Sequence, residues 1–207
     1  MDFRLPRLYA IIDSAFTGHI EPLAVADVLL SSGVRLIQYR GKQDDSRRMF
    51  EACCGVAEHV RQAGGTFIVN DRADVALLSG SNGVHLGQDD RPVELARRVL
   101  TAGQRVGLST HTRPQFEEAQ ASSADYIALG PIFPTASKQR PDPVVGLERL
   151  REMRRLTPKP LVAIGGITLD NAASVIEAGA DSVAVIRGLL AAEDIGAQAR
   201  KFLQALR

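Results

Sequence analysis

Short apolar runs and longer amphipathic segments alternate along the whole chain. Eight runs rich in Val, Ile and Leu have the length and character of strands that are buried on both faces. They span residues 8–13, 36–40, 67–70, 83–86, 105–109, 126–129, 161–164 and 182–186. Helical spacing of apolar residues predicts helices over residues 21–32, 45–63, 91–100, 115–121, 147–155, 169–178 and 194–206.

This order of elements predicts the fold class. Strands that alternate with helices indicate right-handed βαβ units and a parallel sheet. Eight such units within 207 residues favour a (β/α)8 TIM barrel, an α/β fold, as a single domain over residues 1–207. The alternative is an open doubly wound sheet, which should carry a glycine-rich phosphate turn after the first strand. The residues from Asp13 to Phe16 contain no glycine, so the barrel is preferred.

Composition and charge exclude several classes of partner. Lys and Arg total 25 against 24 Asp and Glu, so no global field recruits nucleic acid or a membrane surface. The first residues lack the apolar core of a signal peptide, and no segment is long and apolar enough to span a membrane. The two cysteines, Cys53 and Cys54, are adjacent, which argues against a disulfide framework. We therefore expect a cytoplasmic protein with small-molecule substrates; the sequence leaves open whether it forms a homo-oligomer.

In a β/α barrel the chemistry lies at the mouth, the end where the carboxyl ends of the strands meet. The second strand ends in Gln38, Arg40 and Lys42, which strand alternation places on one side. Because a strand buried on both faces rarely carries an amide and two cations, this trio indicates an anion site. The alternative, a strand that frays into solvent, applies best to Lys42 alone.

Carboxylates follow the third and fourth strands. Asp71 comes after one strand, and Asp89 and Asp90 come after the next. Carboxylates at successive strand ends are able to share Mg²⁺, which takes one or two protein carboxylates plus phosphate oxygens and water. Asp89 or Asp90 would also serve as an N-cap before the Arg-Pro pair that follows. Spacing alone leaves both roles open.

The later strand ends add hydroxyls, a long loop and glycines. Ser109 ends strand five, where its hydroxyl binds a ligand or caps the next helix. The loop after strand six carries Thr135, Ser137 and Lys138, and loops of this length are commonly lids or binding loops. Glycines after strands seven and eight, at residues 165–166 and 188, are typical of a phosphate cradle. The mouth as a whole favours one diphosphate and one monophosphate substrate.

Two histidines lie in strands or at their ends. His85 falls within the fourth strand and is more typical of a satisfied core histidine than of a catalyst. His111 lies at the mouth and is the one histidine placed for acid–base chemistry. The sequence contains no Ser/His/Asp set or reactive cysteine that would favour covalent catalysis.

Seven segments together resemble the thiamine-phosphate synthase family and its thiazole tautomerase relatives. They are residues 37–42, 69–78, 83–92, 107–112, 130–138, 163–168 and 179–186. The resemblance covers nearly the whole chain, and its motifs are individually ordinary but jointly specific. It implies a (β/α)8 barrel that condenses 4-amino-5-hydroxymethyl-2-methylpyrimidine diphosphate with 4-methyl-5-(2-phosphoethyl)thiazole. The implied products are thiamine phosphate and pyrophosphate.

The resemblance also implies roles for individual residues. Asp71 and Asp90 match the Mg²⁺ ligands, which leaves Asp89 as the helix cap. The residues that match the pyrimidine-diphosphate pocket are Gln38, Arg40, Lys42, Asn70, Ser109 and Lys138, of which Arg40, Ser109 and Lys138 are the catalytic candidates. The residues that match the thiazole-phosphate site are Thr135, Ser137, Gly166, Ile186 and Arg187. We also expect residues 131–143 to close over the substrates, because the departure of pyrophosphate benefits from excluded water.

Two positions depart from the family pattern. Arg187 stands where a serine is common, so its guanidinium either pairs with phosphate or folds away. Ser137 stands where threonine is usual and keeps the hydroxyl.

Two other functions are open to the same barrel. A thiazole tautomerase would use His111, but it has no use for a diphosphate clamp and a metal pair. A non-catalytic sensor of phosphorylated ligands would keep the glycine cradle and lose the metal ligands. Because the chain retains Arg40, Asp71 and Asp90, the synthase is preferred.

Overall fold

The computed structural model describes residues 4–135 and 142–207, and its strands form one closed parallel barrel in chain order. The eight strands are β1 (Leu8–Asp13), β2 (Leu36–Arg40), β3 (Thr66–Asn70), β4 (Gly83–Leu86), β5 (Arg105–Thr110), β6 (Tyr126–Leu129), β7 (Leu161–Ile164) and β8 (Ser182–Val185). Pairing of Leu8 with Val183 closes the ring between β1 and β8. The predicted barrel is therefore confirmed, and the open doubly wound alternative is wrong.

Helices surround the barrel in the described part of the chain. They are α1 (Pro22–Ser31), α2 (Ser46–Gln62), α3 (Ala73–Leu78), α4 (Val93–Val99), α5 (Arg113–Ala121), α6 (Gly146–Leu156), α7 (Leu169–Glu177), α8 (Arg187–Leu190) and α9 (Ile195–Ala205). All the predicted helices are present with ends shifted by one or a few residues. The sequence analysis missed α3 and α8, because six and four residues are too few to display a helical period. No described helix combines the length and apolar character of a membrane span.

Alternation along the strands sorts the side chains into two buried layers. Tyr9, Ile11, Leu36, Ile68, Tyr126, Ala128, Val162 and Ala184 form a cluster inside the barrel. The larger cluster, which includes the residues between them, packs between the sheet and the helices. Because Leu36 points inward, Gln38 and Arg40 further along β2 also point inward. The predicted anion-binding side chains thus lie above the inner layer, toward the mouth.

Candidate active site

A buried ion pair orients the guanidinium at the end of β2. Arg40 Nη1 lies 2.5 Å from Asp13 Oδ2, and the Asp13 side chain is only 1% exposed. The other oxygen of this carboxylate accepts a hydrogen bond of 3.0 Å from the N–H of Ala15. A carboxylate held in this way fixes the position of Arg40 at the mouth. The sequence analysis missed Asp13, although alternation from Tyr9 and Ile11 places it on the inner face of β1.

Two carboxylates meet at the ends of β3 and β4. The side chains of Asp71 and Asp90 are in hydrogen-bond contact, and burial together with Asp90 raises the pKa of Asp71 to about 6. Lys42 Nζ lies 3.2 Å from Asp71 Oδ2 and lowers that pKa in part. Like-charged groups in contact favour either a shared proton or a shared cation. The predicted proximity of Asp71 and Asp90 is thereby confirmed.

The backbone holds both carboxylates in place. Asp71 has a φ of 64°, in the left-handed region that only glycine, asparagine and aspartate adopt at modest cost. Its N–H donates a 2.8 Å hydrogen bond to the carbonyl of His85 in β4. Asp90 accepts a 2.6 Å hydrogen bond from the N–H of Gly87. The Asp90 carboxylate therefore closes the turn that follows β4.

Asp89 does not have the capping role that the resemblance implies. It is exposed, and the N-cap of α4 is Pro92, which makes no side-chain cap hydrogen bond. The prediction that Asp89 caps this helix is therefore wrong. The physical reason is that the turn closed by Gly87 and Asp90 ends before the helix, which begins only at Val93.

The donor set at the mouth fits Mg²⁺. Across the described ranges, no cluster of three or more His, Cys, Asp or Glu side chains forms a metal site. Mg²⁺ does not need such a cluster, because it keeps several waters and binds through one or two carboxylates plus substrate phosphates. Asp71 and Asp90 in contact supply that minimal set, and a cation between them would relieve their repulsion.

A chain of hydrogen bonds crosses the barrel below the mouth. Gln38 Nε2 donates to the Tyr9 hydroxyl at 2.7 Å, and the Tyr9 and Tyr126 hydroxyls are 3.1 Å apart. The Tyr126 hydroxyl is 3.1 Å from His85 Nδ1, and His85 Nε2 is 2.8 Å from Ser109 Oγ. The prediction that His85 is a satisfied core histidine is confirmed, since both ring nitrogens have partners. We call these five side chains the polar chain.

The members of the polar chain are neutral at pH 7. Burial lowers the pKa of His85 to about 4 and raises the pKa values of Tyr9 and Tyr126 well above the usual range of tyrosine. The His85 and Tyr126 rings stack with centroids 5.5 Å apart. A Cβ at Gly107 would lie 2.1 Å from the Tyr126 ring, so this glycine leaves the room that the tyrosine needs.

Glycines after β7 allow two loops to pack closely against each other. Gly165 and Gly166 have φ values of 97° and 67°, which favour glycine. A Cβ on Gly166 would lie 2.6 Å from the carbonyl of Pro134. The N–H of Phe133 also donates to the Gly165 carbonyl at 3.0 Å. The loop after β6 therefore rests directly on the turn after β7.

The turn after β8 lies beside the same glycines. A Cβ on Gly188 would lie 3.0 Å from the carbonyl of Ile167, so the two turns are in contact. The exposed Arg187 guanidinium carbon lies 5.7 Å from the centroid of the Phe16 ring, in the loop after β1. The predicted residues Gly166 and Ile186 thus belong to adjoining turns, and the Arg187 side chain reaches to the neighbouring loop.

Part of the predicted site lies outside the described residues. Ser137 and Lys138 belong to residues 136–141, as does the middle part of the segment 131–143 that we expect to close. Thr135 is the last described residue before that gap and is half-buried. The roles predicted for these residues stay predictions.

His111 makes its contacts at the base of the loop after β6. Its Nδ1 lies 2.5 Å from the carbonyl of Gly130, and its Nε2 lies 3.6 Å from Asp142 Oδ2. The backbone N–H of His111 donates a 2.8 Å hydrogen bond to Gln115 Oε1. His111 therefore contacts both Gly130, just after β6, and Asp142, the first described residue after the gap. These two contacts orient the ring, and orientation of this kind occurs in structural and in acid–base histidines alike.

Comparison with known proteins identifies the family to which the chain is similar. The sequence model of the family described as "Thiamine monophosphate synthase" matches residues 8–189. A thiamine-phosphate synthase of Koribacter versatilis is 49% identical over 98% of this chain and 97% of its own length. One from Chloroflexus aurantiacus is 42% identical over 97% and 92% of the two chains. A solved thiamine phosphate pyrophosphorylase from Pyrococcus furiosus has a TM-score of 0.87 and 33% identity, with 97% and 95% of the chains covered.

Proposed function

The chain belongs to the thiamine monophosphate synthase family, and from that membership we propose how its barrel mouth makes thiamine phosphate. It is an enzyme, a transferase of thiamine biosynthesis. The substrates that we assign are 4-amino-5-hydroxymethyl-2-methylpyrimidine diphosphate and 4-methyl-5-(2-phosphoethyl)thiazole. The observation that carries this proposal is the contact between Asp71 and Asp90 beside Lys42. An isomerase or a sensor has no use for that arrangement.

The cations at the mouth bind the diphosphate. Arg40 is held by the buried Asp13 carboxylate, so its remaining N–H groups are presented in one orientation. Lys42 is half-exposed next to Asp71 and supplies a second positive charge. Asp71 and Asp90 would hold Mg²⁺, which supplies electrostatic stabilisation of charge on phosphate oxygens when bound. Lys138, outside the described residues, is assigned to the same group by resemblance.

The pyrimidine lies between the diphosphate and the polar chain. Gln38, Asn70 and Ser109 are the polar side chains assigned to it, and Gln38 and Asn70 are buried while Ser109 is half-buried. Because groups this poorly solvated recognise a ligand through hydrogen bonds, they position the aminopyrimidine ring. The methylene carbon then points toward the diphosphate cations and toward the second substrate.

The reaction is a dissociative substitution at that methylene carbon. The bond from carbon to the diphosphate oxygen breaks, and its electron pair leaves with pyrophosphate, whose growing charge Arg40 and Lys42 stabilise. The aminopyrimidine donates electron density to the methylene cation, so no protein nucleophile is required. The lone pair of the thiazole nitrogen then forms the new carbon–nitrogen bond at short range.

The thiazole phosphate binds on the opposite side of the mouth. The adjoining turns after β7 and β8 offer backbone N–H groups from Gly166 and from Ile186 and Arg187, a common way for barrels to hold phosphate. Thr135 at the edge of the β6 loop and Ser137 beyond it are assigned the hydroxyl contacts. This placement separates the two phosphate-bearing substrates and directs their reacting atoms toward each other.

A cytoplasmic location is part of the proposal. Cys53 and Cys54 are both free thiols, and Cys53 is buried. Unpaired cysteines of this kind are ordinary in reducing compartments. Both proposed substrates carry phosphate charges that confine them to the compartment in which they are made.

Turnover tests the proposal directly. The protein is mixed with the pyrimidine diphosphate, the thiazole phosphate and Mg²⁺, and thiamine phosphate is read after oxidation to fluorescent thiochrome. We expect product that requires both substrates and disappears on addition of EDTA. Well-folded protein that yields no product would contradict the proposal.

A matched pair of variants tests the metal site. Asp90→Asn removes a proposed ligand, whereas Asp89→Asn makes the same change at the exposed neighbouring residue. We expect product to be lost in the first and retained in the second. Equal activity of the two variants, or turnover that resists EDTA, would contradict the assignment of Mg²⁺ to Asp71 and Asp90.

A further inference from the structure

We propose that Tyr9, Tyr126 and His85 are positioning residues that make the Ser109 hydroxyl a hydrogen-bond donor toward the pyrimidine. The inference rests on the proposed function for the identity of the ligand, and on the geometry of the polar chain for everything else. The three residues do not contact the substrate in this account. They set the direction of the hydrogen bonds that connect Gln38 with Ser109 across the barrel.

The direction is set at the Gln38 end. The amide nitrogen of Gln38 donates to the Tyr9 hydroxyl at 2.7 Å. The Tyr9 hydroxyl carries a single proton, and the Tyr126 hydroxyl 3.1 Å away is there to accept it. A buried hydroxyl whose proton has no acceptor costs about 1–3 kcal/mol. Tyr9 therefore donates to Tyr126.

The same reasoning carries the direction to the far end. Tyr126 accepts from Tyr9 and donates its own proton to His85 Nδ1, 3.1 Å away. A neutral imidazole that accepts at Nδ1 carries its proton on Nε2. His85 Nε2 then donates to Ser109 Oγ at 2.8 Å. Because Oγ is already an acceptor in this bond, the Ser109 proton is directed away from the chain, toward the mouth.

The polar chain has one alternative state, in which donor and acceptor are exchanged in each of its hydrogen bonds. An acceptor at position 38 would draw a proton from Tyr9, and Tyr9 would then accept from Tyr126. His85 would donate through Nδ1 and accept at Nε2 from Ser109, which would leave Ser109 as an acceptor. The donor state suits a heteroaromatic ligand with an acceptor nitrogen at Ser109, as an aminopyrimidine has. Gln38 thus selects the pattern that Ser109 presents.

The tautomer of His85 reports the state of the chain without any substrate. The protein is labelled with ¹⁵N-histidine and recorded at pH 8, and the His85 signals are identified among the four histidines from their loss in His85→Asn. We expect the proton on Nε2 in the wild type. In Gln38→Glu, whose carboxylate beside Arg40 is an acceptor, we expect it on Nδ1. The same tautomer in both proteins would overturn the proposal.

Further variants test the path of the effect. Tyr126→Phe removes the hydroxyl between Tyr9 and His85, so the tautomer in Gln38→Glu/Tyr126→Phe should no longer depend on position 38. Tyr39→Phe is the matched control, because Tyr39 is equally buried but contacts Asp44 on the other face of β2. The change should persist in Gln38→Glu/Tyr39→Phe. A change that survives Tyr126→Phe would overturn the proposal, since it would not travel through the polar chain.

Turnover assays then test whether the polar chain affects catalysis. In Tyr126→Phe we expect kcat/KM for the pyrimidine diphosphate to fall about tenfold, as for one misdirected hydrogen bond, while KM for the thiazole phosphate stays the same. Equal losses for both substrates would overturn the positioning role and indicate general disruption. The tautomer of His85 is measured in the protein without substrate. A wild type without turnover would therefore count against the proposed function, whereas the direction of the polar chain would still be decided by the ¹⁵N spectra.

Discussion

The aspartates that precede β6 and β8 and the Asp71–Asp90 pair at the mouth are balanced in opposite ways. At the amino-terminal end of β6, Asp125 binds the guanidinium groups of Arg97 and Arg105 and accepts a 2.7 Å hydrogen bond from the N–H of Val106. Asp181, before β8, is held in the same manner by a guanidinium and a backbone N–H. Each of these two carboxylates is matched by opposite charge and by a backbone donor.

At the mouth, Asp71 faces another carboxylate. It contacts Asp90, is balanced only in part by Lys42, and has a left-handed backbone conformation. Such an arrangement costs stability and persists where surrounding structure enforces it. The comparison teaches that Asp125 and Asp181 hold the fold together, whereas the Asp71–Asp90 pair leaves charge available for a ligand. Four experiments would break or sharpen this contrast.

The largest effect is expected from Asp71→Asn, which keeps the shape and removes the charge. Activity should fall about 10³-fold, as for the loss of a principal electrostatic group in a site. Without metal, the free energy of unfolding should stay the same or rise, because the repulsion with Asp90 is gone. Thiochrome assays and urea unfolding measure the two quantities. A variant that loses both activity and stability would contradict the contrast between the ends.

The second effect is a pH dependence of stability that Asp71 confers. Its pKa is raised from 3.8 to about 6 in the folded protein, so the folded state binds the proton more tightly than the unfolded state. This contribution is present below pH 4 and is lost as the pH rises through 6. Relative to Asp71→Asn, the wild type should gain about 2 kcal/mol between pH 7 and pH 4, because one pKa unit corresponds to 1.36 kcal/mol and the full shift is reached only below the unfolded pKa.

Urea unfolding in EDTA across that pH range measures this difference. Added Mg²⁺ should stabilise the wild type at pH 7 and not the variant, because the cation binds the ionised pair. Parallel pH profiles of the two proteins would show that Asp71 does not titrate as described.

The third effect concerns the opposite end and stability alone. Asp125→Asn removes the negative charge that Arg97 and Arg105 both bind, so the free energy of unfolding should fall by about 2 kcal/mol. The kcat of the folded variant should stay within about twofold of the wild type. Glu51→Gln is the control, because its pair with Arg47 is highly exposed and should contribute little. A large loss of kcat in folded Asp125→Asn would break the separation.

The smallest effect is expected from Arg187→Ser. The guanidinium rests over Phe16, an exposed cation–π contact worth about 0.5–1 kcal/mol. If the backbone of the turn and not this side chain binds phosphate, KM for the thiazole phosphate should change no more than about threefold. A tenfold rise in that KM would show that the Arg187 guanidinium contributes to the mouth.

The sequence predicts what depends on local pattern and misses what depends on contacts across the barrel. Alternation along β2 identified Gln38 and Arg40 as inward-facing, and successive strand ends brought Asp71 and Asp90 together. Strand alternation does not say which inward residues of different strands meet, since this depends on the stagger between strands. The Arg40 partner and the middle of the polar chain were therefore missed. The Asp89 cap failed for a similar reason, because a side-chain bond within the turn decided where the helix begins.

Closure of the barrel by β8 has a consequence for synthesis of the chain. Leu8 in β1 pairs with Val183 in β8, so β1 cannot complete its pairing until β8 has left the ribosome. Until then, β1 and β7 each present an unpaired edge, the kind of surface on which chains associate wrongly. Contacts so distant in sequence also slow folding. A nascent chain that stalls before residue 182 therefore has every residue of the mouth except those of the last turn, and lacks the strand that would close the ring.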